Sequence, residues 1–202
     1  MTLYALKPAF QARLRPLVRR LAAAGVTANQ VTAGAMIGSL AIGLWVANGV
    51  PARWPFLLLP VWLFVRMALN AIDGMLAREF NQKSRAGALL NEIGDVVSDA
   101  ALTLPFAFLP QFGALATGTV IVLAVISELT GVLGPTIGAS RRYDGPFGKS
   151  DRALAFGALG LYIGLGLPLA GWFTAAMWLG AAALVVTILN RARAALNEGD
   201  TP

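Results

Sequence analysis

The chain has 202 residues, 57% of them apolar and only 13% charged, and its mean hydropathy of +0.68 lies outside the range of soluble domains and places it in a bilayer. It contains no cysteine and no histidine, which excludes disulfides, thiolate or histidine metal centres and histidine-based triads; any chemistry must use carboxylates, amides, lysine or arginine. A net charge of +6 on so apolar a chain is explained by membrane topology and anionic lipid head groups, not by nucleic acid.

Residues 1–24 set Lys7, Arg13, Arg15, Arg19 and Arg20 against Leu3, Tyr4, Leu6, Phe10, Leu14, Leu17, Val18 and Leu21. That spacing predicts a basic amphipathic helix on the membrane surface, broken at Pro8 and Pro16. No short apolar run closes on a small-residue cleavage site, so the mature chain is expected to start at Met1. Thr27 is the expected N-cap of the next helix. Apolar runs over 30–48, 54–78, 86–109, 112–138, 153–168 and 171–190 give six candidate transmembrane helices, since a crossing needs about 20 helical residues. The fifth is short and rich in glycine. The expected fold is all-α: a polytopic membrane protein in one domain, with a surface helix over 1–24, a six-helix bundle over 25–196 and a disordered tail over 197–202.

The basic residues orient this arrangement. Arg78, Lys83 and Arg85 fall in one loop, Arg141, Arg142, Lys149 and Arg152 in another, and Arg191 and Arg193 follow the last span. With six spans all of these share one side with the N-terminus, and the opposite loops hold only Arg53, so the basic side is cytosolic. Trp45, Trp54, Trp62, Trp172 and Trp178 mostly fall near span ends and are expected as interfacial anchors.

Polar residues inside spans are costly, and here they cluster. Asn70, Asp73, Gly74, Ala77 and Arg78 lie near the cytosolic end of the second span; Gly87, Asn91, Glu92, Asp95 and Asp99 open the third. Asn70, Asp73 and Ala77 share one helical face, and Gly87, Asn91, Asp95 and Asp99 share another. A short loop is expected to bring these antiparallel neighbours together. Oxygen donors from Asn70, Asp73, Asn91 and Asp95 suit a hard divalent cation such as Mg²⁺ or Mn²⁺. Gly74, Ala77, Gly87 and Ala88 allow close approach of a backbone or flat ligand, and Arg78 is placed to take a phosphate.

The stretch NAIDGMLAR, eight residues, then GALLNEIGD resembles the signature of the CDP-alcohol phosphatidyltransferase family, DxxDGxxAR followed by GxxxDxxxD. The Gly-Val-Thr-Ala-Asn-Gln-Val-Thr stretch before the first span is also similar to family members. The resemblance implies that Asn70, Asp73, Asn91 and Asp95 hold or adjoin Mg²⁺ or Mn²⁺, that Asp95 is the general base, and that Gly74, Ala77, Arg78 and Gly87 line the CDP moiety. It further implies transfer of a phosphatidyl group from CDP-diacylglycerol to an alcohol acceptor with release of CMP, by a homodimer in a bacterial inner membrane, with both termini and the active site cytosolic. Two of the four signature aspartates are Asn70 and Asn91 here, which halves the charge of the metal set. One metal is then expected to be weakened or lost unless Asp99 or Glu92 compensates.

Alternatives stand beside these expectations. Asp73 and Asp95 can pair with Arg78 or Arg85 at the membrane surface. Arg66 and Asp99, each one turn deeper than the signature, are expected as a supporting buried pair. Glu128, mid-span, either faces the same cavity or answers Arg66. Arg141, Arg142, Lys149 and Arg152 are either a positive-inside loop or a site for an acceptor or lipid phosphate. At the level of the whole protein, the rivals are a family-like membrane protein that binds CDP-lipid or nucleotide without turnover, and a small transporter with an intramembrane acid.

Overall fold

Seven α-helices make up the framework of the computed structural model, which describes residues 3–199 and the side chains of residues 9–198. They are α1 (Leu3–Ala23), α2 (Ala28–Asn48), α3 (Leu58–Glu79), α4 (Arg85–Thr103), α5 (Ala114–Leu133), α6 (Lys149–Gly164) and α7 (Trp172–Gly199). Short 3-10 turns lie at Val50–Ala52, Trp54–Leu57, Leu104–Phe108 and Gly134–Ile137, and no strand occurs among the described residues. The side chains of residues 1–8, Lys7 among them, and tail residues 200–202 lie outside the described residues.

Two expectations about the ends of the chain are corrected. Pro8 and Pro16 do not break α1, which is continuous from Leu3 to Ala23. Each proline costs one backbone bond, but Val18 is fully buried in a cluster with Ile72, Met75 and Leu76 of α3, and Arg15 forks onto Glu79 at 3.0 and 3.2 Å. Tertiary packing outweighs the local breaker. Residues 197–199, expected in the tail, are helical as the end of α7, and the Glu198 carboxylate accepts from Ser140 Oγ at 2.8 Å.

Four segments are long and apolar enough to cross a membrane: Ala28–Asn48, Trp54–Glu79, Ala114–Ile137 and Trp172–Glu198. Helices α4 and α6, the other two expected crossings, do not meet that measure of length and apolarity, for different reasons. Glu92, Asp95 and Asp99 make α4 too polar, and α6 has only 16 residues, against about 20 for a full crossing.

Local chemistry sets where these helices begin. Thr27 caps α2 as its sequence predicts: its hydroxyl accepts from Gln30 N at 3.2 Å, and Gln30 Oε1 accepts from Thr27 N at 2.9 Å, a reciprocal capping box. Ser84 caps α4 by accepting from Gly87 N at 2.9 Å. Between α3 and α4, Asn81 adopts φ 55°, a left-handed turn that asparagine tolerates better than most residues.

Packing then places the polar faces. The polar faces of α3 and α4 meet as expected, through Arg66 and Asn70 on Asp95 and Asp99, and the helix whose backbone packs closely on both is α2. Gly43 of α2 lies so near the Ala101 carbonyl of α4 that any side chain there would collide with it. The polar side chains of α3 and α4 meet across the gap between the two helices. Helix α6 lies on α3, seated at one end by Gly160 and Gly164, where an added Cβ would come within 2.9 Å of Leu59 and 2.5 Å of Leu57.

Helices α5 and α7 form the other closely packed pair. The loop joining α5 to α6 is strapped across them. Gly145, at φ 123°, sits against Thr187 of α7, and Phe147 N donates to Thr187 Oγ1 at 3.1 Å. Phe56, Phe106, Phe112, Phe156 and Phe173 fill the main core, with ring centroids of successive pairs 4.8–5.4 Å apart. Trp62 is no interfacial anchor: it packs on Gly38 and donates to Ser39 Oγ at 2.9 Å.

Candidate functional site

The gap between α3 and α4 holds the signature residues. Asn70 Nδ2 donates to Asp95 Oδ1 at 3.1 Å, so the first and last signature positions touch. Asp73, only 6% exposed, points instead to α2, where Thr32 Oγ1 donates to its Oδ2 at 2.9 Å. Thr32 belongs to the quoted stretch before the first span but received no role from sequence. Its legible signal was a hydroxyl one turn inside a capped, otherwise apolar helix.

Asp95 is covered from several directions. Arg66 Nη2 donates to its Oδ1 at 3.1 Å and to its backbone carbonyl at 3.0 Å, and the Lys149 ammonium pairs with its Oδ2. Neither Arg78 nor Arg85 is its partner among the described residues, so the surface-pair alternative is replaced by a deeper one.

Below Asp95 the charges close into a network. Arg66 Nη1 pairs with Asp99 Oδ1, and Arg152 Nη2 reaches Asp99 Oδ2 and Glu128 Oε1, both at 3.0 Å. Arg191 Nη1 lies 3.5 Å from the same Glu128 oxygen and donates to the Ser127 carbonyl at 2.5 Å. Arg66, Arg152 and Arg191 are 2–3% exposed, and each ion is paired, as buried charge requires. Glu128 thus answers Arg152 and Arg191 rather than Arg66. The intramembrane carboxylate that motivated a transporter is neutralised.

The four cations proposed together do not converge. Arg152 is buried in that network, and Lys149 faces Asp95. Arg141 pairs with Glu92. Arg142 turns away to Asp144 and Glu198 at 2.9 and 2.5 Å, and its hydrogen bonds hold the Asp144 carboxyl below the usual carboxylate range. Arg78 is exposed, has no ion-pair partner among the described residues, and lays its guanidinium over Gly74, where an added Cβ would sit 3.2 Å from Nη2. A Cβ at Gly87 would meet Asn29 Oδ1 at 2.5 Å. Sequence reading had assigned Asn29 no role; it faces the glycine expected to adjoin nucleotide. Ala77 lies half-buried on the α3 face, and Asn91 lies half-buried on the α4 face.

Whether these donors fit a divalent ion divides at the two aspartates. Asp73 is a buried carboxylate with a hydroxyl as its side-chain partner and no ion pair among the described residues, a situation that a cation relieves. Magnesium commonly uses one or two carboxylates completed by water and substrate phosphate, so Asp73 with the amide oxygens of Asn70 and Asn91 fits one ion. A second ion does not fit, because both Asp95 oxygens are occupied by Arg66, Asn70 and Lys149. Nor do the neighbours compensate: Glu92 is bound to Arg141 and Asp99 to two arginines. No group of three acidic side chains that could hold a metal occurs among the described residues.

A cavity of about 640 Å³ opens between α3 and α6. Arg66, Asn70 and Lys149 line its polar end, and Pro60, Leu63, Phe64, Leu154 and Leu161 line its apolar run along the two helices.

Comparison with known proteins agrees with the all-helical fold and gives the family. The Escherichia coli (strain K12) inner membrane protein YnbA is 48% identical over 198 residues, covering 97% of each chain. Two crystal structures of Mycobacterium tuberculosis phosphatidylinositol phosphate synthase share the fold. The one with CDP-DAG bound has a TM-score of 0.71 at 22% identity, covering 93% of this chain and 96% of that one. The one in complex with manganese and citrate has a TM-score of 0.74 at 21% identity, covering 93% and 91%. The family model for CDP-alcohol phosphatidyltransferases matches residues 25–189, most of the chain, and the protein therefore belongs to the CDP-alcohol phosphatidyltransferase family.

Proposed function

We propose that the protein transfers a phosphatidyl group from CDP-diacylglycerol to an alcohol acceptor, releasing CMP. The observation that carries this reading is the cavity between α3 and α6, polar at Arg66, Asn70 and Lys149 and apolar along Leu63, Phe64 and Leu161. A ligand with a phosphate head and acyl chains matches that polarity, and a water-soluble nucleotide alone leaves the apolar run unused.

In this reading Gly74, Ala77, Arg78 and Gly87 receive the CDP moiety, with the unpaired Arg78 guanidinium meeting phosphate. Asp95 accepts the proton of the acceptor hydroxyl while its oxygen forms a bond to the lipid-linked phosphorus. The bond from that phosphorus to the CMP oxygen breaks, and CMP leaves. A divalent ion, Mg²⁺ or Mn²⁺, held through Asp73 with Asn70 and Asn91, would supply positive charge to the pyrophosphate. Arg66 fixes Asp95 by donating to both its carboxylate and its backbone carbonyl.

The membrane arrangement belongs to the same proposal. Helices α4 and α6 complete six crossings, because Asp95 and Asp99, the charges deepest in α4, are paired with Arg66 and Arg152 of the bundle and do not face lipid. The basic loops put both termini and the site at the cytosolic face of a bacterial inner membrane, and α1 lies along that surface. The functional unit is a homodimer, by the family resemblance.

One observation favours a second reading, a protein that binds CDP-lipid without turnover: both oxygens of Asp95 are already engaged. CMP release decides between the two. Purified protein in nanodiscs, given CDP-diacylglycerol, Mn²⁺ and a pool of alcohol acceptors, is expected to release CMP only with an acceptor, and Asp95→Asn to lower the rate at least about a hundredfold. Binding of CDP without release in the native chain would establish the binder.

A further inference from the structure

Lys149 stands on the first turn of α6, and its ammonium pairs with Asp95 Oδ2 while its side chain also lines the α3–α6 cavity. The other carboxylate oxygen accepts from Arg66 Nη2 and Asn70 Nδ2, both at 3.1 Å. Four cations, Arg66, Lys149, Arg152 and Arg191, face three carboxylates, Asp95, Asp99 and Glu128, in one continuous network. That cluster carries surplus positive charge, and a divalent ion entering on the Asp95 side would meet repulsion from nearby cations in a partly buried setting where charges are poorly screened. On the other side of the gap Asp73 is 6% exposed and has no ion pair among the described residues. The two aspartates of one site are therefore provided for in opposite ways.

We propose that Lys149 is the built-in cation of the Asp95 side, so that each chain takes one divalent ion, at Asp73, and not two. The proposal rests on the phosphatidyl-transfer reading only in taking a phosphate ester as the ligand; the ion count is a property of the chain itself. A lysine suits the task because its ammonium is a compact point charge on a flexible stem, able to remain on Asp95 or swing towards a phosphate in the cavity. Unlike a bound ion it cannot dissociate. It also explains how Asn70 can stand at an aspartate position: with Lys149 covering Oδ2, an amide that donates to Oδ1 completes Asp95 without adding a charge for which no second ion is present. Lys149 is in this sense a positioning residue for Asp95.

The test is the stoichiometry and affinity of Mn²⁺, read by electron paramagnetic resonance on purified protein in nanodiscs with CDP present. One ion per chain is expected for the native protein and for Lys149→Arg. In Lys149→Met, which frees Asp95 Oδ2 and removes a positive charge, either a second ion or at least about tenfold tighter binding is expected, a change of about 1.4 kcal/mol. A thermal melt establishes that the methionine variant is folded, and the native count needs no variant. Two ions on the native chain, no ion, or a Lys149→Met titration that overlays the native curve would each overturn the proposal. Two ions together with CMP release would remove this inference and leave the transferase reading intact. One ion without CMP release would do the reverse.

Discussion

Two groups of polar side chains lie within a few helical turns of one another and behave oppositely. The deeper group, Arg66, Asp99, Arg152, Glu128 and Arg191, is closed: each ion has an opposite partner, and the pairs join α3, α4, α5, α6 and α7. The shallower group, Asn70, Asp73 and Asn91, is open, and its one carboxylate is held by a hydroxyl. Both are built from residues that a membrane tolerates poorly. The contrast teaches that position in a span does not separate structural from functional charge. What separates them is whether coordination is left over once the protein's own partners are counted.

Substituting one aspartate in each group breaks the comparison most sharply. Asp99→Ala leaves Arg66 and Arg152 each short of a partner and is expected to destabilise by about 3–5 kcal/mol, read as a lower melting temperature in detergent or nanodiscs. Asp73→Asn keeps the size of the side chain and an acceptor for Thr32, and removes a buried charge without an ion pair. Without divalent ions its melting temperature should equal or exceed that of the native protein, while CMP release falls at least about a hundredfold. Equal destabilisation by the two substitutions would erase the distinction between closed and open groups.

Thr32→Val sharpens the same comparison at smaller scale. The hydroxyl bonded to Asp73 is the only side-chain support of that carboxylate among the described contacts. Its loss should lower CMP release about tenfold by letting Asp73 reorient, with a stability change of about 1 kcal/mol. An unchanged rate would mean that Asp73 is positioned by its backbone alone.

Much of this contrast was legible in the sequence, but unevenly. The face shared by Asn70 and Asp73 and that shared by Asn91, Asp95 and Asp99 follow from helical periodicity, and so does the pairing of Arg66 with Asp99, since both lie one turn deeper than their signature neighbours. Thr27 and its capping box are local chemistry between residues three apart. Contacts made across the bundle were not legible. Nothing in the local pattern of 140–152 tells that Arg152 leaves the basic loop to meet Glu128 or that Lys149 turns to Asp95, and nothing local tells that α2 packs on both α3 and α4. The continuity of α1 through two prolines was illegible for the same reason: local propensity argues for a break, and packing on α3 supplies the energy that opposes it.

The smallest expected effect lies outside both groups, at the loop that carries Lys149 towards the site. Asp144 accepts from Arg142 at 2.9 and 3.2 Å, and that hydrogen bond holds its carboxyl below the ordinary range. A depressed folded-state pKa contributes stability that is present above the unfolded value, about 3.9 for aspartate, and is lost as pH falls through the folded value. Asp144 is exposed, at 40%, so screening keeps the contribution small. Asp144→Asn should therefore melt slightly below the native protein at pH 6, and the two curves should converge as pH is lowered towards 3. Other carboxylates titrate in the same window, which is why the difference between the two proteins, and not either curve alone, is the readout. A constant difference across that range would mean that Asp144 acts by shape and not by charge, and that the loop holding Lys149 is fixed by Gly145 and Phe147 against Thr187.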